Sequence, residues 1–184
     1  MVESSDMDIA SKLKETESWL SKEYTGIRTG QAAPALLDSI KVESYGTHVP
    51  LNQVASIGIE DARTLRISPW DSGLVKTIEK AIMDADLGVS VVVDDTGLRA
   101  VFPELTGERR QQLTKLAKAK LEEARVSVRA LRDEAIKELE KLQKSGEISE
   151  DEKFSKKELI QKQVDAANSS LEATYQHKEK EILG

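Results

Sequence analysis

The sequence predicts an α+β protein in which a discontinuous antiparallel three-helix bundle carries an inserted small, β-rich α+β domain. Three observations predict it: apolar residues at helical spacing near both chain ends, short alternating apolar runs between them, and one glycine-bearing turn joining two long helical segments. Long helices joined by a short turn pack antiparallel, and the N-terminal helix supplies the third apolar face. The bundle is therefore predicted over residues 1–29 and 105–184, and the inserted domain over residues 31–104.

The first helix is predicted over residues 6–27, where apolar positions three and four apart line one face. These positions are Ile9, Leu13, Leu20, Tyr24 and Ile27. Two glycines and a proline within residues 25–34 then end the helix. The chain leaves the bundle here and returns to it after the strands, which predicts hinges near residues 28–31 and 103–105. The hinge residues are Thr29, Gly30, Pro103 and Glu104.

The middle of the chain alternates in short apolar runs, which predict strands separated by turns at Tyr45-Gly46 and Asp95-Thr-Gly97. The runs cover residues 40–45, 54–59, 64–67, 89–93 and 98–102. One predicted helix interrupts them, with Leu74, Ile78, Ile82 and Ala85 on one face and Gly88 as its C-terminal cap. Several strands around one helix favour a small α+β module over a doubly wound sheet.

A helical period returns after Pro103 and keeps one face apolar from Leu113 to Leu142, which corresponds to a rod of roughly 45 Å. Gly146 is predicted to follow the end of this helix in the left-handed conformation. Ser149 and Glu152 match the capping box that begins a further helix. That last helix is lined by Ile160, Val164, Ala167, Leu171, Thr174 and Ile182 and matches its neighbour in length.

The composition argues against several classes of function. Without cysteine the chain has no disulfide, thiolate nucleophile or cysteine zinc site. Neither histidine, His48 or His177, has a neighbour at metal-binding or triad spacing, and the acidic pairs lie on polar helix faces and turns. We therefore expect no enzymatic activity, no catalytic residue, no metal and no cofactor. With no signal-like N-terminus and no long apolar run, we expect a cytoplasmic protein that binds no membrane.

The net charge of −6 conceals one positive segment, residues 104–132, with 8 basic and 4 acidic residues. On a helix, four of these basic residues share one side next to the apolar face. This arginine stripe consists of Lys118, Arg125, Arg129 and Arg132. Arg109 and Arg110 extend it at the start of the helix, where positive charge opposes the helix dipole. A feature with such a cost suggests a use.

Two interpretations of the arginine stripe compete. The arginines could pair with acidic residues of adjoining helices and cover apolar surface with their stems. Against this, Glu122 and Glu123 are the only acidic residues between positions 109 and 132, so local pairing is not expected to neutralise the stripe. The planar guanidinium suits phosphate. Because no groove-reading motif and no basic sheet with stacking aromatics accompany it, we expect a structured RNA as partner and no DNA.

Seven groups of short strings between Ile27 and Asp151 strengthen this hypothesis. They are Ile27-Arg-Thr-Gly30, Tyr45-Gly-Thr47 with Pro50-Leu51, Asp61-Ala-Arg-Thr-Leu65, Glu79-Lys-Ala-Ile82 with Asp86-Leu-Gly88, Leu105-Thr-Gly-Glu-Arg-Arg110, Ala124-Arg-Val-Ser-Val-Arg129 with Arg132, and Gly146-Glu-Ile-Ser-Glu-Asp151. In order and spacing they resemble the ribosome recycling factor family. The resemblance covers essentially the whole chain.

The resemblance implies an L-shaped monomer with the proportions of transfer RNA, whose helical arm lies along ribosomal RNA of the large subunit. With elongation factor G and the GTP bound by that partner, such proteins split the post-termination ribosome and free the subunits, tRNA and mRNA. The recycling factor itself performs no bond chemistry. The resemblance implies ribosomal RNA contacts for Arg110, Arg129 and Arg132, and it also matches Arg28 at the elbow.

The chain departs from the family at several positions. The family usually has arginine at the position of Gln31, an acidic residue at Gly107, and Asn and Arg at Ala130 and Asp133. The run Val91–Val93 also replaces a more polar loop. Since Asp133 reverses a charge beside Arg132, the sequence predicts weaker ribosome binding than in the relatives.

Other functions stay open at this point. A coiled-coil-like helical adaptor would pair its helices with a partner and be indifferent to ribosomes. A diverged paralogue would bind idle ribosomes without splitting them. An RNA-processing enzyme would need catalytic residues that the chain does not supply.

Overall fold

The computed structural model describes the backbone of residues 3–184 and the side chains of residues 9–184. Four α-helices and two antiparallel sheets confirm the predicted α+β class. The elements are α1 (Glu3–Thr25), β1 (Lys41–Ser44), β2 (Thr47–Pro50), β3 (Ala55–Asp61), β4 (Thr64–Pro69), α2 (Val75–Asp84), β5 (Ser90–Asp94), β6 (Gly97–Val101), α3 (Gly107–Lys144) and α4 (Glu150–Leu183). Short 3₁₀ turns occupy Pro34–Leu37, Leu51–Gln53 and Ser72–Leu74.

The described chain divides into two compact units. The first combines α1 up to Tyr24 with Thr114–Lys180. The second comprises Thr25–Leu113 and Glu181–Gly184. The first turns of α3 and the last residues of α4 therefore pack with the second unit, whereas the domain boundaries near residues 28–31 and 103–105 stay a prediction.

The first unit is an antiparallel bundle of α1, α3 and α4. The predicted positions Ile9, Leu13, Leu20 and Tyr24 are buried on α1, whereas Ile27 lies beyond its end. On α3 the buried strip includes Ala117, Leu121, Ala124 and Val128. Contacts between α3 and α4 run in opposite directions along the two helices: Arg125 with Glu172, Arg132 with Gln161, and Gln143 with Lys153. Burial of these apolar strips holds the three helices together, because apolar area removed from water is the main stabilising contribution.

A five-residue turn, residues 145–149, separates α3 from α4. Gly146 has a φ of +81°, and its N–H donates to Gln143 O at 3.1 Å while Glu147 N–H donates to Leu142 O at 3.0 Å. These two bonds satisfy carbonyls that the end of α3 leaves unpaired. Glu152 N–H then donates to Ser149 Oγ at 3.1 Å, and Ser149 N–H donates to the Glu152 carboxylate at 2.8 Å. The predicted glycine cap and capping box are both confirmed.

Gly146→Ala tests how much this turn depends on its left-handed residue. The side chain would be strained at a φ of +81°, so we expect the free energy of unfolding to fall by about 1 kcal/mol. Gly107→Ala is the matched control, because Gly107 begins α3 with a negative φ and an added Cβ meets nothing within 4 Å. It should raise stability by about 0.5 kcal/mol. Urea unfolding followed by circular dichroism measures both, and equal effects would contradict this account.

The second unit contains a four-stranded antiparallel sheet in the order β3-β4-β6-β5 and a separate β1-β2 hairpin. Strand β2 was missed by the sequence prediction, because Thr47–Pro50 contains a proline and has no alternating apolar pattern. Leu65, Ile67, Leu98 and Ala100 of the two central strands are buried. They form one core with Ile78 and Ile82 of α2, as the spacing of these residues predicted.

Backbone geometry determines two turns of the second unit. Gly97 begins β6 at a φ of +143°, and a Cβ there would lie 2.3 Å from Ile67 O, so the strand pairing requires glycine. After α2, the left-handed position is taken by Asp86, with a φ of 51°, two residues before Gly88. The predicted cap at Gly88 was therefore wrong, although Gly88 also has a positive φ. A short polar side chain such as aspartate tolerates this conformation.

Tyr24 joins α1 to α3 by donating its hydroxyl hydrogen to Ala117 O at 2.8 Å. Burial raises the pKa of Tyr24 to about 12, with the nearby Tyr175 and Glu172 adding to the effect. The folded value lies above the ordinary value of about 10. The stabilisation from neutral Tyr24 is therefore complete below pH 10 and is lost as the pH rises towards about 12.

Tyr24→Phe should consequently change the alkaline stability profile. At pH 8 we expect a loss of about 1 kcal/mol, because one intramolecular hydrogen bond disappears. Between about pH 9.5 and pH 11.5, Tyr24 becomes ionised in the unfolded chain but stays largely neutral in the folded chain, so the free energy of unfolding of the parent falls with pH. The variant lacks this tyrosine, and its free energy of unfolding should fall less over the same interval. Urea unfolding across this range measures the difference, and parallel declines of the two proteins would refute the assignment.

Candidate nucleic-acid interface

The arginine stripe lies on one uninterrupted helix. Since α3 runs from Gly107 to Lys144 without a break, the helical spacing assumed from the sequence applies to all four stripe residues. The stripe borders the buried strip on the side of α3 that contacts α4, as the bonds from Arg125 and Arg132 show. Its members nevertheless differ in how much of their charge is already engaged.

Arg125 is the most fully paired member of the stripe. Its guanidinium donates to Glu122 at 2.8 Å on its own helix and to Glu172 at 2.5 Å on α4. The side chain is half-buried. The pairing interpretation therefore holds for Arg125, and the expectation that nearby acids would leave it unneutralised was wrong. The sequence argument counted only acidic residues of α3 and missed Glu172.

Arg132 is positioned by α4 but keeps donors available. Its Nε donates to Gln161 Oε1 at 2.7 Å, which fixes the plane of the guanidinium without neutralising its charge. Asp133 lies 3.5 Å from Nη1, at the long limit of a hydrogen bond. An exposed ion pair of this kind contributes at most about 1 kcal/mol. Arg132 therefore offers an oriented, partly compensated cation.

Arg129 and Lys118 are the uncompensated members of the stripe. Both side chains are exposed, and neither makes a hydrogen bond or ion pair with any residue that the structure describes. Eleven positions separate them, which is three helical turns or about 16 Å along the axis. Together with Arg132 they present spaced positive charges on one side of α3, the pattern that suits a phosphate backbone.

The two arginines in the first turn of α3 have different environments. Arg109 is exposed and donates only to the neutral Gln112 side chain, at 3.0 Å. Arg110 is half-buried, and it donates to Ile182 O at 2.9 Å and to Leu105 O at 3.5 Å. By pairing with a carbonyl at the end of α4, Arg110 stabilises the negative end of that helix dipole. Its surroundings thus suit a structural role, and Arg109 is the more accessible cation.

Arg28 joins the two chain crossings of the predicted hinge. Its Nη2 donates to Pro103 O, and its guanidinium lies 5.5 Å from the centre of the Phe102 ring. Burial lowers the pKa of Arg28, and the positive charges of Arg109 and Arg63 lower it further. Its Nε is buried and makes no hydrogen bond among the described residues. Arg28 therefore connects residue 28 to Pro103 within the second unit. Two other cations, Arg63 and Arg109, lie close to its guanidinium.

The predicted hinge residues all belong to the second unit. Thr29 is half-buried and accepts a 3.3 Å hydrogen bond from Gln31 N–H, and Gly30 is exposed with room for a side chain. Pro103 and Glu104 are exposed, with Glu104 3.8 Å from Arg63. The hinge itself stays a prediction.

Within residues 9–184, whose side chains the structure describes, no three His, Asp or Glu side chains are grouped so as to hold a metal ion. His48 and His177 are both exposed and lie in different units. No helix among the described residues is long and apolar enough to cross a membrane.

A second charged cluster lies on the sheet of the second unit. Arg66 of β4 donates to Asp94 at 2.7 Å and to Glu60 at 3.3 Å, and Arg99 of β6 donates to Glu60 at 2.6 Å. Hydrogen bonds from Arg66 and from the Thr96 backbone lower the pKa of Asp94 to about 2. Every charge here has an opposite partner, so the cluster has little attraction for an anion.

The partners of Arg125 and Arg132 on α4 are the contacts that the sequence reasoning missed. A signal for them existed, because residues at similar distances before and after the turn at residues 145–149 face each other in an antiparallel pair. Glu172 and Gln161 stand at approximately those distances. Helix rotation would still have been needed to decide which side chains meet.

Comparison with known proteins identifies the family. The family model described as "Ribosome recycling factor" matches residues 20–183. The ribosome-recycling factor of Treponema denticola is 43% identical over 183 residues, covering 100% of this chain and 99% of that protein. The ribosome-recycling factor of Bacillus velezensis is 44% identical over 163 residues, with 89% and 88% covered.

Solved structures agree with these relatives. The solution structure of the ribosome recycling factor matches with a TM-score of 0.76 and 36% identity, covering 98% of this chain and 96% of that one. A second match is to models for the Thermus thermophilus ribosome recycling factor and the Escherichia coli elongation factor G bound to the post-termination complex. It has a TM-score of 0.68 and 40% identity and covers both chains in full. With a family match over most of its length and relatives above 40% identity, this chain belongs to the ribosome recycling factor family.

Proposed function

We propose that this chain binds the large ribosomal subunit after termination and, with elongation factor G, splits the post-termination complex into its subunits, tRNA and mRNA. The observation that carries the proposal is its end-to-end similarity to ribosome-recycling factors, one of them described together with elongation factor G on that complex. GTP is bound and hydrolysed by the partner. The chain acts as a cytoplasmic monomer without bond chemistry of its own.

The arginine stripe supplies the contact with ribosomal RNA in this proposal. Arg129 and Lys118 contribute most, because their charges are exposed and have no partner in the part of the chain that the structure describes. Arg132 follows, since its charge is only weakly compensated by Asp133. Binding such cations to phosphates releases condensed counterions, which provides affinity without reading base sequence. Arg125 contributes less, since two carboxylates already neutralise it. Arg109 adds an accessible charge. Arg110 and Arg28 contribute indirectly, because Arg110 fixes the end of α4 through Ile182 O and Arg28 fixes the segment at Pro103.

The transmission of force rests on the predicted division of the chain. The bundle of residues 1–29 and 105–184 holds the ribosome, and the inserted domain of residues 31–104 receives the push from elongation factor G. The crossings near residues 28–31 and 103–105 act as the hinge. Support comes from the exposure of Gly30, Pro103 and Glu104 and from the Arg28–Pro103 bond that links the two crossings.

Substitutions within the arginine stripe should show that its exposed cations contribute more to large-subunit affinity than the paired Arg125 does. We expect Arg129→Ala and Arg132→Ala each to weaken binding to the large subunit by about 1–3 kcal/mol, because each removes a charged hydrogen-bonding group from the interface. Arg125→Ala should weaken binding less. Lys162→Ala, which removes an exposed cation of α4 that has no partner among the described residues, is the matched control and should bind normally. Co-sedimentation with purified large subunits gives the affinities.

The same variants should be followed in a splitting assay with elongation factor G and GTP, monitored by light scattering. The proposal predicts splitting by the parent chain with a cognate factor and slower splitting by Arg129→Ala. Tight binding without any splitting would favour a paralogue that occupies idle ribosomes. Indifference to ribosomes would favour the helical adaptor.

Asp133→Arg restores the residue that the family usually carries next to Arg132. Because it replaces a repulsive charge with an attractive one, it should tighten large-subunit binding. It should also steepen the dependence of log affinity on log salt by about one unit. Asp151→Arg, with the same change of charge in the first turn of α4, is the control and should leave the slope unchanged. A slope shared by both variants would argue against a local phosphate contact at position 133.

A further inference from the structure

The first unit carries an open groove between α1 and α3. The groove has a volume of about 1180 Å³. It is lined by Lys12, Glu15, Thr16 and Trp19 of α1 and by Ala119, Glu122, Glu123, Val126, Ser127, Ala130, Leu131 and Glu134 of α3. Along α3 it extends from residue 119 to residue 134, roughly 22 Å at 1.5 Å per residue. That length accommodates about four turns of a helix.

The groove lies on the free side of the α1–α3 pair. On α1, Glu17 accepts a hydrogen bond from Ser170 of α4 at 3.1 Å, so this side of α1 faces α4. Glu15 and Trp19 are two positions away in either direction, which turns each about 160° from Glu17 on the helix. Helix α4 therefore covers one side of the pair and leaves the groove side without a covering helix.

The floor of the groove is apolar and accessible. Val126 is 61% exposed, Leu131 and Trp19 are half-buried, and the small side chains of Ala119 and Ala130 leave the space between them open. Lys120 Nζ lies 5.8 Å from the centre of the Trp19 ring. An exposed apolar strip that runs along two helices with polar residues at its borders is typical of a surface that receives another helix.

The borders of the groove are negatively charged. Four of the lining residues are glutamates and one is a lysine. Glu122 and Glu123 have cationic neighbours on α3, Arg125 at 2.8 Å and Lys120 at 3.4 Å. Glu15 and Glu134 make no ion pair with any described residue. An RNA or an acidic peptide would be repelled here, whereas a cationic partner would be attracted.

We propose that this groove docks a lysine- or arginine-rich amphipathic helix of a partner protein. Its apolar face lies on Trp19, Val126 and Leu131, and its basic residues reach Glu15 and Glu134. The helix completes a four-helix arrangement on the side that α4 leaves open. The proposal goes beyond ribosome recycling and does not depend on it, because it rests on the apolar floor and the glutamates of the groove and uses no residue of the arginine stripe.

The test uses the full chain and an 18-residue peptide of leucine and lysine at helical spacing, without aromatic residues, long enough to span the groove at about 1.5 Å per residue. Trp19 and Trp70 are the only tryptophans, and Trp70 is 69% exposed in the other unit. Trp70→Phe therefore makes Trp19 the sole tryptophan signal. The peptide should shift the fluorescence of Trp19 saturably, and its affinity should fall with increasing salt.

Variants then distinguish docking from general attraction to an acidic protein. Val126→Asp should weaken peptide binding about tenfold, because it places a charge against the apolar face. Glu15→Gln and Glu134→Gln should weaken it about threefold each, the scale of an exposed ion pair. Glu158→Gln, an exposed unpaired glutamate of α4, is the matched control and should have no effect. Circular dichroism melting establishes that each variant is folded.

Several results would overturn the proposal. They are an unchanged Trp19 signal, equal loss of affinity in Glu158→Gln, and an equal shift with a peptide carrying glutamate in place of lysine. An RNA oligonucleotide that shifts Trp19 more strongly than the peptide would assign the groove to nucleic acid. Concentration-dependent dimerisation in sedimentation, lost in Val126→Asp, would make a second copy of this chain the occupant instead.

Discussion

The structure of the first unit depends on the burial of one narrow apolar strip along α3. In proteins most of the stability of a helix comes from packing of its apolar face, and α3 packs through this strip for most of its 38 residues. Its buried residues, among them Ala117, Leu121 and Val128, are covered by α1 and α4 together. The rotation of α3 that buries this strip also determines where every other side chain of the helix points.

Two unlike surfaces follow from that rotation. On the side of α4, Arg125 and Arg132 are held by Glu172 and Gln161, and Arg129 and Lys118 extend beyond them into solvent. On the side of α1, Val126 and Leu131 line an apolar groove with an excess of glutamates. One helix thus presents a row of cations and a groove bordered by glutamates, which lie in different directions from its axis.

Much of the fold was predictable because its determinants are local. The turn between α3 and α4 depends on Gly146, which relieves backbone strain, and on Ser149 with Glu152, which satisfy each other's backbone N–H groups. Such contacts span a few residues and leave a clear pattern. Strand β2 was missed, because its pairing with β1 overrides a weak local strand preference. The cap of α2 was placed at Gly88 instead of Asp86, because the backbone geometry after α2 decides which residue is left-handed. Gly97 shows the same dependence, since its need for glycine comes from Ile67 O on another strand.

By itself the sequence determined the class of fold, the helix that carries the arginine stripe and the resemblance to the ribosome recycling factor family. Helical periodicity and motif order are properties of the chain that do not depend on distant contacts. Only the tertiary structure decided which cations are available. Glu172 reaches Arg125 from 47 positions away and Ile182 O engages Arg110 from 72 positions away, whereas Arg129 has no such neighbour among the described residues. Ion pairs and hydrogen bonds of this kind require the two groups to lie within a few ångströms of each other. That distance depends on the register and rotation of packed helices, which local sequence spacing does not specify.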